Sequence, residues 1–198
     1  MERTYISGGM VYDGTGKEPF CGDIVINGNT IEAVLPHSED RFTGKNGRLI
    51  LAQGLVVTPG FVDVHRHCDL AALTDPDFGR QELKQGITSV LAGNCGMGLA
   101  PSGDGSRAAM YRFLEPCLGK APEDLRFPDF RSYMDALHAK KLPLHVDAMV
   151  GTGAVRIAVK GFSEIPFSKR ELDTACGLLA EAFEQGARAV SAGIMYVP

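Results

Sequence analysis

Apolar and polar residues alternate in short runs over the first part of the chain, which is the period-two pattern of β-strands. Two of these runs flank Asn27-Gly28-Asn29, where Asn-Gly supplies the positive φ angles of a tight hairpin turn. A polar stretch, 36–47, precedes the last run. The pattern therefore predicts a small all-β domain over residues 1–57, with strands at 4–7, 10–12, 23–27, 30–35 and 48–57.

From Thr58 onward, apolar runs alternate with segments of helical length. Asp129 is the predicted N-cap of one helix, and Ser168 with Glu171 forms the capping box of another. Strands that alternate with helices predict parallel β-α units over residues 58–198. Four strands make either a small open sheet or half of an eight-stranded barrel, and length alone leaves both open. The predicted strands are 61–65, 87–92, 144–150 and 187–194, and the predicted helices are 77–85, 129–140 and 168–186.

Composition and charge exclude several classes of function. The chain of 198 residues is 44% hydrophobic and 22% charged, with a net charge of -4 and no basic cluster. This charge pattern predicts neither nucleic-acid binding nor binding to anionic membranes. No apolar run reaches the roughly 18 residues of a membrane span, and the N-terminus lacks the apolar core of a secretion signal. Five scattered cysteines favour a reduced, cytoplasmic protein in which most thiols are buried.

The sharpest chemical signal is a pair of histidines after the apolar run that begins at Phe61. Side chains two apart on a strand share a face, so Asp63, His65 and His67 are expected to point the same way. Two imidazoles at the C-terminal end of a parallel strand predict a pair of metal ligands. For Asp63, an orienting role and a direct metal role both remain open.

A second signal, Gly93-Asn94-Cys95-Gly96, follows the next predicted strand at the same end of the sheet. A thiolate beside two imidazoles forms a donor set that suits Zn²⁺. Spacing alone leaves simple packing of Cys95 equally open. His145, on the third predicted strand, is interpreted as a hydrogen-bonded core histidine.

Two longer segments carry a family resemblance. Residues 8–16 and 54–67 resemble the opening of the amidohydrolase superfamily, whose members join a small β-sandwich to a metal-dependent (β/α)₈ barrel. Within it, residues 86–96, followed by Leu99-Ala100-Pro101, are similar to the N-acyl-D-amino-acid deacylases, or D-aminoacylases. The resemblance implies an α/β fold in which 1–57 is an N-terminal piece of the sandwich. Residues 58–198 are then the first four β-α units of the TIM barrel.

The resemblance also implies roles for individual residues. His65, His67 and Cys95 become ligands of a zinc ion, which polarises an amide carbonyl and activates water. Tyr196 helps to hold the substrate carboxylate, and Met195 lines the side-chain pocket. The implied reaction is hydrolysis of the acyl-amide bond of N-acyl-D-amino acids, small-molecule substrates. The general base is expected beyond Pro198, so the gene is expected to continue and the chain alone to be inactive.

One departure and two alternatives stand beside this interpretation. The family often has a histidine after the third strand, where this chain has Gly151-Thr152-Gly153. A cyclic-amide hydrolase of the hydantoinase or dihydroorotase type typically carries a carboxylated lysine at the end of the fourth strand, and residues 187–198 contain no lysine. The other alternative is a non-catalytic half-barrel fragment whose open edge pairs with another chain.

Overall fold

The structure, a computed structural model, describes residues 3–195 and shows a mixed α/β fold. The chain forms two compact units, and the boundary between them in the sequence lies between Pro59 and Gly60. The strands are β1 (Arg3–Val11), β2 (Phe20–Asn27), β3 (Thr30–Pro36), β4 (Arg48–Leu51), β5 (Val56–Val57), β6 (Phe61–Asp63), β7 (Ile87–Ala92), β8 (His145–Ala148), β9 (Val150–Gly151) and β10 (Val190–Ser191). The helices are α1 (Ala71–Thr74), α2 (Arg80–Lys84), α3 (Arg107–Leu118), α4 (Phe130–Ala139), α5 (Thr152–Lys160) and α6 (Lys169–Glu184).

The first unit is a single sheet in the order β3-β2-β1-β4, in which β5 also pairs with β1. The β2–β3 hairpin forms as predicted, and its positive φ angle, 61°, falls on Gly28. The predicted strands 4–7 and 10–12 are one strand, β1, with a bulge between Ile6 and Gly9. A Cβ atom on Gly9 would lie 2.5 Å from a methyl group of Val57, so the close approach of β5 requires glycine there.

The predicted strand 48–57 is divided in two. β4 and β5 each run parallel to β1, on either side of the bulge in β1. Between them the chain turns at Gly54, which has a φ angle of 77°. The bulge in β1 explains this break, because a single continuous strand cannot stay paired with β1 on both sides of its register shift.

A buried carboxylate joins several parts of the first unit. Burial of Asp23 raises its pKa, but hydrogen bonds to the ionised form outweigh burial and lower the pKa to about 2. The closest of these contacts joins His37 Nδ1 to Asp23 Oδ1 at 2.7 Å. The other donors are the Ser7 hydroxyl, the backbone N–H groups of Gly8 and Ser38, and the Arg41 guanidinium.

The second unit contains a parallel sheet, β6-β7-β8, and a parallel pair, β9-β10. This parallel pairing agrees with the predicted β-α units. Helix α4 begins at the predicted N-cap, where the Asp129 carboxylate accepts a hydrogen bond from the Ser132 backbone N–H at 2.8 Å. The helix buries one apolar face, formed by Phe130, Tyr133, Met134 and Leu137.

Other helical features differ from expectation. The sequence pattern does not predict helices α1, α3 and α5, and α3 even contains a proline, Pro116. The residues that α6 buries are small: Ala175 and Ala182 are buried, whereas the larger Leu172 and Phe183 are exposed. None of the helices in residues 3–195 has the length and apolar character needed to cross a bilayer.

The environments of the cysteines also differ from expectation. Cys68 is buried and Cys95 is partly buried. The remaining three, Cys21, Cys117 and Cys176, are exposed, so the prediction that most thiols are buried is wrong. The exposure of Cys176 follows from the packing of α6, because the neighbouring face of this helix, with Ala175 and Ala182, is the buried one.

Candidate metal centre

His65 and His67 lie in the loop that follows β6 rather than on the strand itself, because β6 ends at Asp63. The strand alternation that predicts a common face for the three side chains therefore does not extend to the histidines. Instead, the Asp63 carboxylate accepts a hydrogen bond from the His65 backbone N–H at 3.1 Å. This contact orients the His65 backbone, and an orienting role is one of the two considered for Asp63.

Cys95 lies in a single 3₁₀ turn, Asn94–Gly96, directly after β7. Its own φ angle is 58°, and those of the flanking Gly93 and Gly96 are 75° and 73°. A Cβ atom on Gly93 would lie 2.1 Å from the Met149 carbonyl oxygen. Glycine is therefore required beside Cys95 by both backbone conformation and space.

The two loops bring the three candidate ligands together. One donor atom from each of His65, His67 and Cys95 lies within 4.8 Å of the others. His65 Nε2 is 3.1 Å from Cys95 Sγ, and the two imidazole rings meet edge to face. Residues 30 positions apart in the sequence thus form one compact cluster of donors.

The chemistry of these donors fits a bound metal ion. Nδ1 of His67 is buried and makes no hydrogen bond within the described part of the chain. Burial, and secondarily the charge of the neighbouring His65, lowers the pKa of His67, which favours the neutral imidazole that binds metals. Two imidazoles and a thiolate are three of the four donors of a tetrahedral zinc site.

Asn94 connects the two ligand loops, a role that the sequence pattern does not reveal. Its buried side-chain amide donates hydrogen bonds to the Leu91 carbonyl oxygen at 2.6 Å and to the Arg66 carbonyl oxygen at 3.4 Å. Arg66 stands between the two histidines, and its guanidinium also pairs with the buried carboxylate of Glu82. The only sequence signal for this role is the position of Asn94 inside the glycine-flanked motif.

Two further candidate residues, Met195 and His145, have exposed side chains. Met195 is 89% exposed, so the described residues enclose no pocket around it. Tyr196 lies outside the described residues, and its role stays a prediction. His145 is exposed, so its interpretation as a core histidine is wrong. It stands at the start of β8, where its neighbours Leu144 and Val146 take the buried positions.

Comparisons with known proteins give one consistent result. No family model matches the sequence. The chain is 35% identical over 194 residues to an N-acyl-D-glutamate deacylase of Alcaligenes xylosoxydans xylosoxydans, covering 98% of this chain and 37% of that protein. It is 31% identical to a D-aminoacylase of the same organism, covering 98% of this chain and 38% of the relative.

Solved structures agree with the sequence relatives. A D-aminoacylase with a binuclear metal centre superposes with a TM-score of 0.81 at 30% identity, covering 98% of this chain and 39% of that one. The N-acyl-D-glutamate deacylase of Bordetella bronchiseptica, in complex with zinc and a phosphonate inhibitor, gives 0.79 at 30% identity, with 98% and 38% coverage. The chain therefore spans less than two fifths of the length of these proteins. Together the likenesses identify the chain as a relative of the N-acyl-D-amino-acid deacylases of the amidohydrolase superfamily, matched to the N-terminal part of these proteins.

Proposed function

We propose that this chain supplies three ligands of the zinc site in an N-acyl-D-amino-acid deacylase. The observation that carries the proposal is the approach of His65, His67 and Cys95 to within 4.8 Å of one another. The named activities of two relatives, an N-acyl-D-glutamate deacylase and an N-acyl-D-aspartate deacylase, support the choice of reaction.

Zinc is the metal that best matches this donor set. Thiolate selects zinc over magnesium and calcium, which prefer oxygen ligands, and imidazole is common in zinc sites. The zinc complex of the Bordetella bronchiseptica deacylase supports the same choice. When bound, zinc supplies Lewis-acid activation of the acyl carbonyl and of water.

The protein's own contribution is to hold the ligands in place. Asp63 orients the His65 backbone, and the Asn94 amide ties the histidine loop to the cysteine loop. Burial lowers the pKa of His67 and so favours the neutral form that donates a lone pair to a metal. For substrate binding we propose the two residues named by the resemblance, Tyr196 for the carboxylate and Met195 for the side-chain pocket.

We propose further that residues 58–198 form the first half of a (β/α)₈ barrel. Residues 1–57 are then part of a small β-sandwich. The parallel strands β6, β7 and β8, with helices between them, support the barrel. Val62 in β6 and Val64 just after it are each 61% exposed, as expected of a sheet face that further barrel strands cover. The cyclic-amide hydrolase is not favoured, because the relatives at 31–35% identity are deacylases.

The test is enzymatic and uses the product of the complete gene, loaded with zinc. Hydrolysis of N-acetyl-D-amino acids, with little action on the L-enantiomers, is the expected result. His65→Ala is expected to lose both zinc and activity, whereas His138→Ala, at the end of α4, keeps both. Activity on hydantoin or dihydroorotate instead, or full activity of His65→Ala, contradicts the proposal.

A further inference from the structure

Ser191 reaches the cysteine loop from a distant part of the chain. It lies on β10 and is 8% exposed. Its hydroxyl donates to the Gly93 carbonyl oxygen and accepts a hydrogen bond from the Gly96 backbone N–H at 2.9 Å. A hydroxyl has one donor and two acceptor lone pairs, so one side chain satisfies backbone groups on both sides of Cys95.

The cysteine loop needs such support because its backbone is strained. Cys95 occupies the left-handed region, with a φ angle of 58°, which residues other than glycine rarely adopt. Strained conformations persist only where the surroundings hold them in place. Within the loop, the Met97 N–H bonds to the Asn94 carbonyl oxygen at 3.0 Å, but Gly93 O and Gly96 N turn outward to Ser191.

Backbone packing fixes the position of Ser191 itself. Ser191 pairs with Gly151 in the parallel β9–β10 ladder. A Cβ atom on Gly151 would lie 2.4 Å from the Gly96 carbonyl oxygen, so the ladder and the loop are in direct backbone contact. Ser191 therefore holds the loop from a rigid element rather than from a mobile chain segment.

We propose that Ser191 is a positioning residue for the Cys95 ligand and acts through the backbone of Gly93–Gly96. The inference rests on the proposed zinc site and deepens it. Asp63 orients the His65 backbone, whereas the Ser191 hydroxyl holds the backbone on both sides of Cys95. Loss of hydrogen-bonding partners behind metal ligands typically weakens metal affinity about 10- to 100-fold.

The test measures Co²⁺ binding to the full chain, with Co²⁺ as a spectroscopic substitute for zinc. Affinity comes from competition with a chelator, and the thiolate-to-cobalt charge-transfer absorption reports the thiolate bond. Ser191→Ala is expected to bind Co²⁺ about 10- to 100-fold more weakly and with reduced charge-transfer absorption. Ser191→Thr keeps the hydroxyl and is expected to restore both. All samples contain trimethylamine N-oxide, which favours the folded state. Ser191→Gly is a second variant without the hydroxyl and is expected to bind Co²⁺ as weakly as Ser191→Ala.

Ser102→Ala is the matched control. Ser102 is 3% exposed, and its hydroxyl donates to the Phe127 carbonyl oxygen at 3.0 Å, away from the loop. This variant is expected to bind Co²⁺ like the wild type. If Ser191→Ala binds Co²⁺ like the wild type, or if Ser102→Ala loses as much Co²⁺ affinity as Ser191→Ala, the proposed role of Ser191 is wrong. Either result leaves the proposed zinc site itself standing. If wild-type protein shows no thiolate-to-cobalt absorption, the proposed zinc site itself is wrong.

Discussion

Cys95 combines a strained backbone with a side chain that lies beside two imidazoles. A left-handed conformation costs a residue other than glycine about 1–3 kcal/mol, and Cys95 has a φ angle of 58°. In the absence of metal, Cys95→Gly is therefore expected to raise the free energy of unfolding by about 1 kcal/mol, because glycine adopts this conformation without a Cβ clash. The same variant is expected to lose its bound zinc. Urea denaturation and atomic emission measure the two effects.

Cys176→Ala provides the control for loss of a thiol. Cys176 is exposed on α6 and is not part of the donor cluster, so its replacement is expected to leave zinc content unchanged. Zinc retained at wild-type stoichiometry in Cys95→Gly contradicts the ligand role of Cys95. A loss of stability in that variant contradicts the strain argument.

At this scale the sequence predicts residues whose chemistry is distinctive. Imidazole pairs and a glycine-flanked thiol are uncommon, so His65, His67 and Cys95 stand out in the sequence itself. Asn94 and Ser191 do not, because Asn and Ser serve many roles and their partners are set by folding. Ser191 contacts a loop 95 residues earlier in the chain, a distance over which no local pattern carries information.

Among the elements, α6 has the clearest local start signal. The Ser168 hydroxyl accepts a hydrogen bond from the Glu171 backbone N–H at 3.3 Å, and the Glu171 carboxylate accepts one from the Ser168 backbone N–H at 2.7 Å. Ser168→Ala is expected to lower the free energy of unfolding by about 1 kcal/mol, since an N–H group at the start of the helix loses its partner. Urea denaturation monitored by circular dichroism measures this change.

Thr174→Ala tests whether the effect belongs to the cap. The Thr174 hydroxyl bonds to the Arg170 carbonyl oxygen within the same helix, on an exposed face. Alanine is the better helix former, so this change is expected to leave stability unchanged or slightly higher. Equal destabilisation by both substitutions indicates a general sensitivity of α6 and contradicts a specific contribution of the capping box.

Capping and turn signals are local, which is why the sequence predicts the α6 start and the Gly28 hairpin correctly. Strand length is different, because a strand extends only as far as its partner allows. Within the predicted strand 187–194, the regular strand covers only Val190–Ser191, where it runs parallel to the two residues of β9. Helix α3 escapes prediction because its buried residues, Met110, Leu114 and Leu118, form a narrow stripe with one apolar residue per turn.

At the scale of the whole molecule, the first unit depends on pH through Asp23. Its pKa in the folded protein is about 2, below the ordinary value of 3.8. A lowered pKa contributes stability that is complete above about pH 4 and is lost as the pH falls toward about 2. For this buried carboxylate the contribution is on the order of 2 kcal/mol.

Asp23→Asn is therefore expected to destabilise the protein at pH 7 and to flatten the decline in stability between about pH 4 and pH 2. Urea denaturation at a series of pH values measures both changes. Asp124→Asn is the control, because Asp124 is exposed, and this variant is expected to keep the pH profile of the wild type. An unchanged pH profile in Asp23→Asn shows that other carboxylates govern acid unfolding.

The proposed zinc site links local metal binding to the stability of the chain. A ligand that binds only the folded state stabilises it by about 2.7 kcal/mol when its concentration is 100 times the Kd. For a chain of 198 residues, each kcal/mol raises the Tm by about 2–4 °C, so a rise of about 5–10 °C is expected for the wild type. Magnesium is expected to give no rise, because the donors are nitrogen and sulfur. Calorimetry with each metal tests this, and Cys95→Gly is expected to respond much less to zinc. An equal response of that variant, or an equal effect of magnesium, shows that the metal acts elsewhere than at His65, His67 and Cys95.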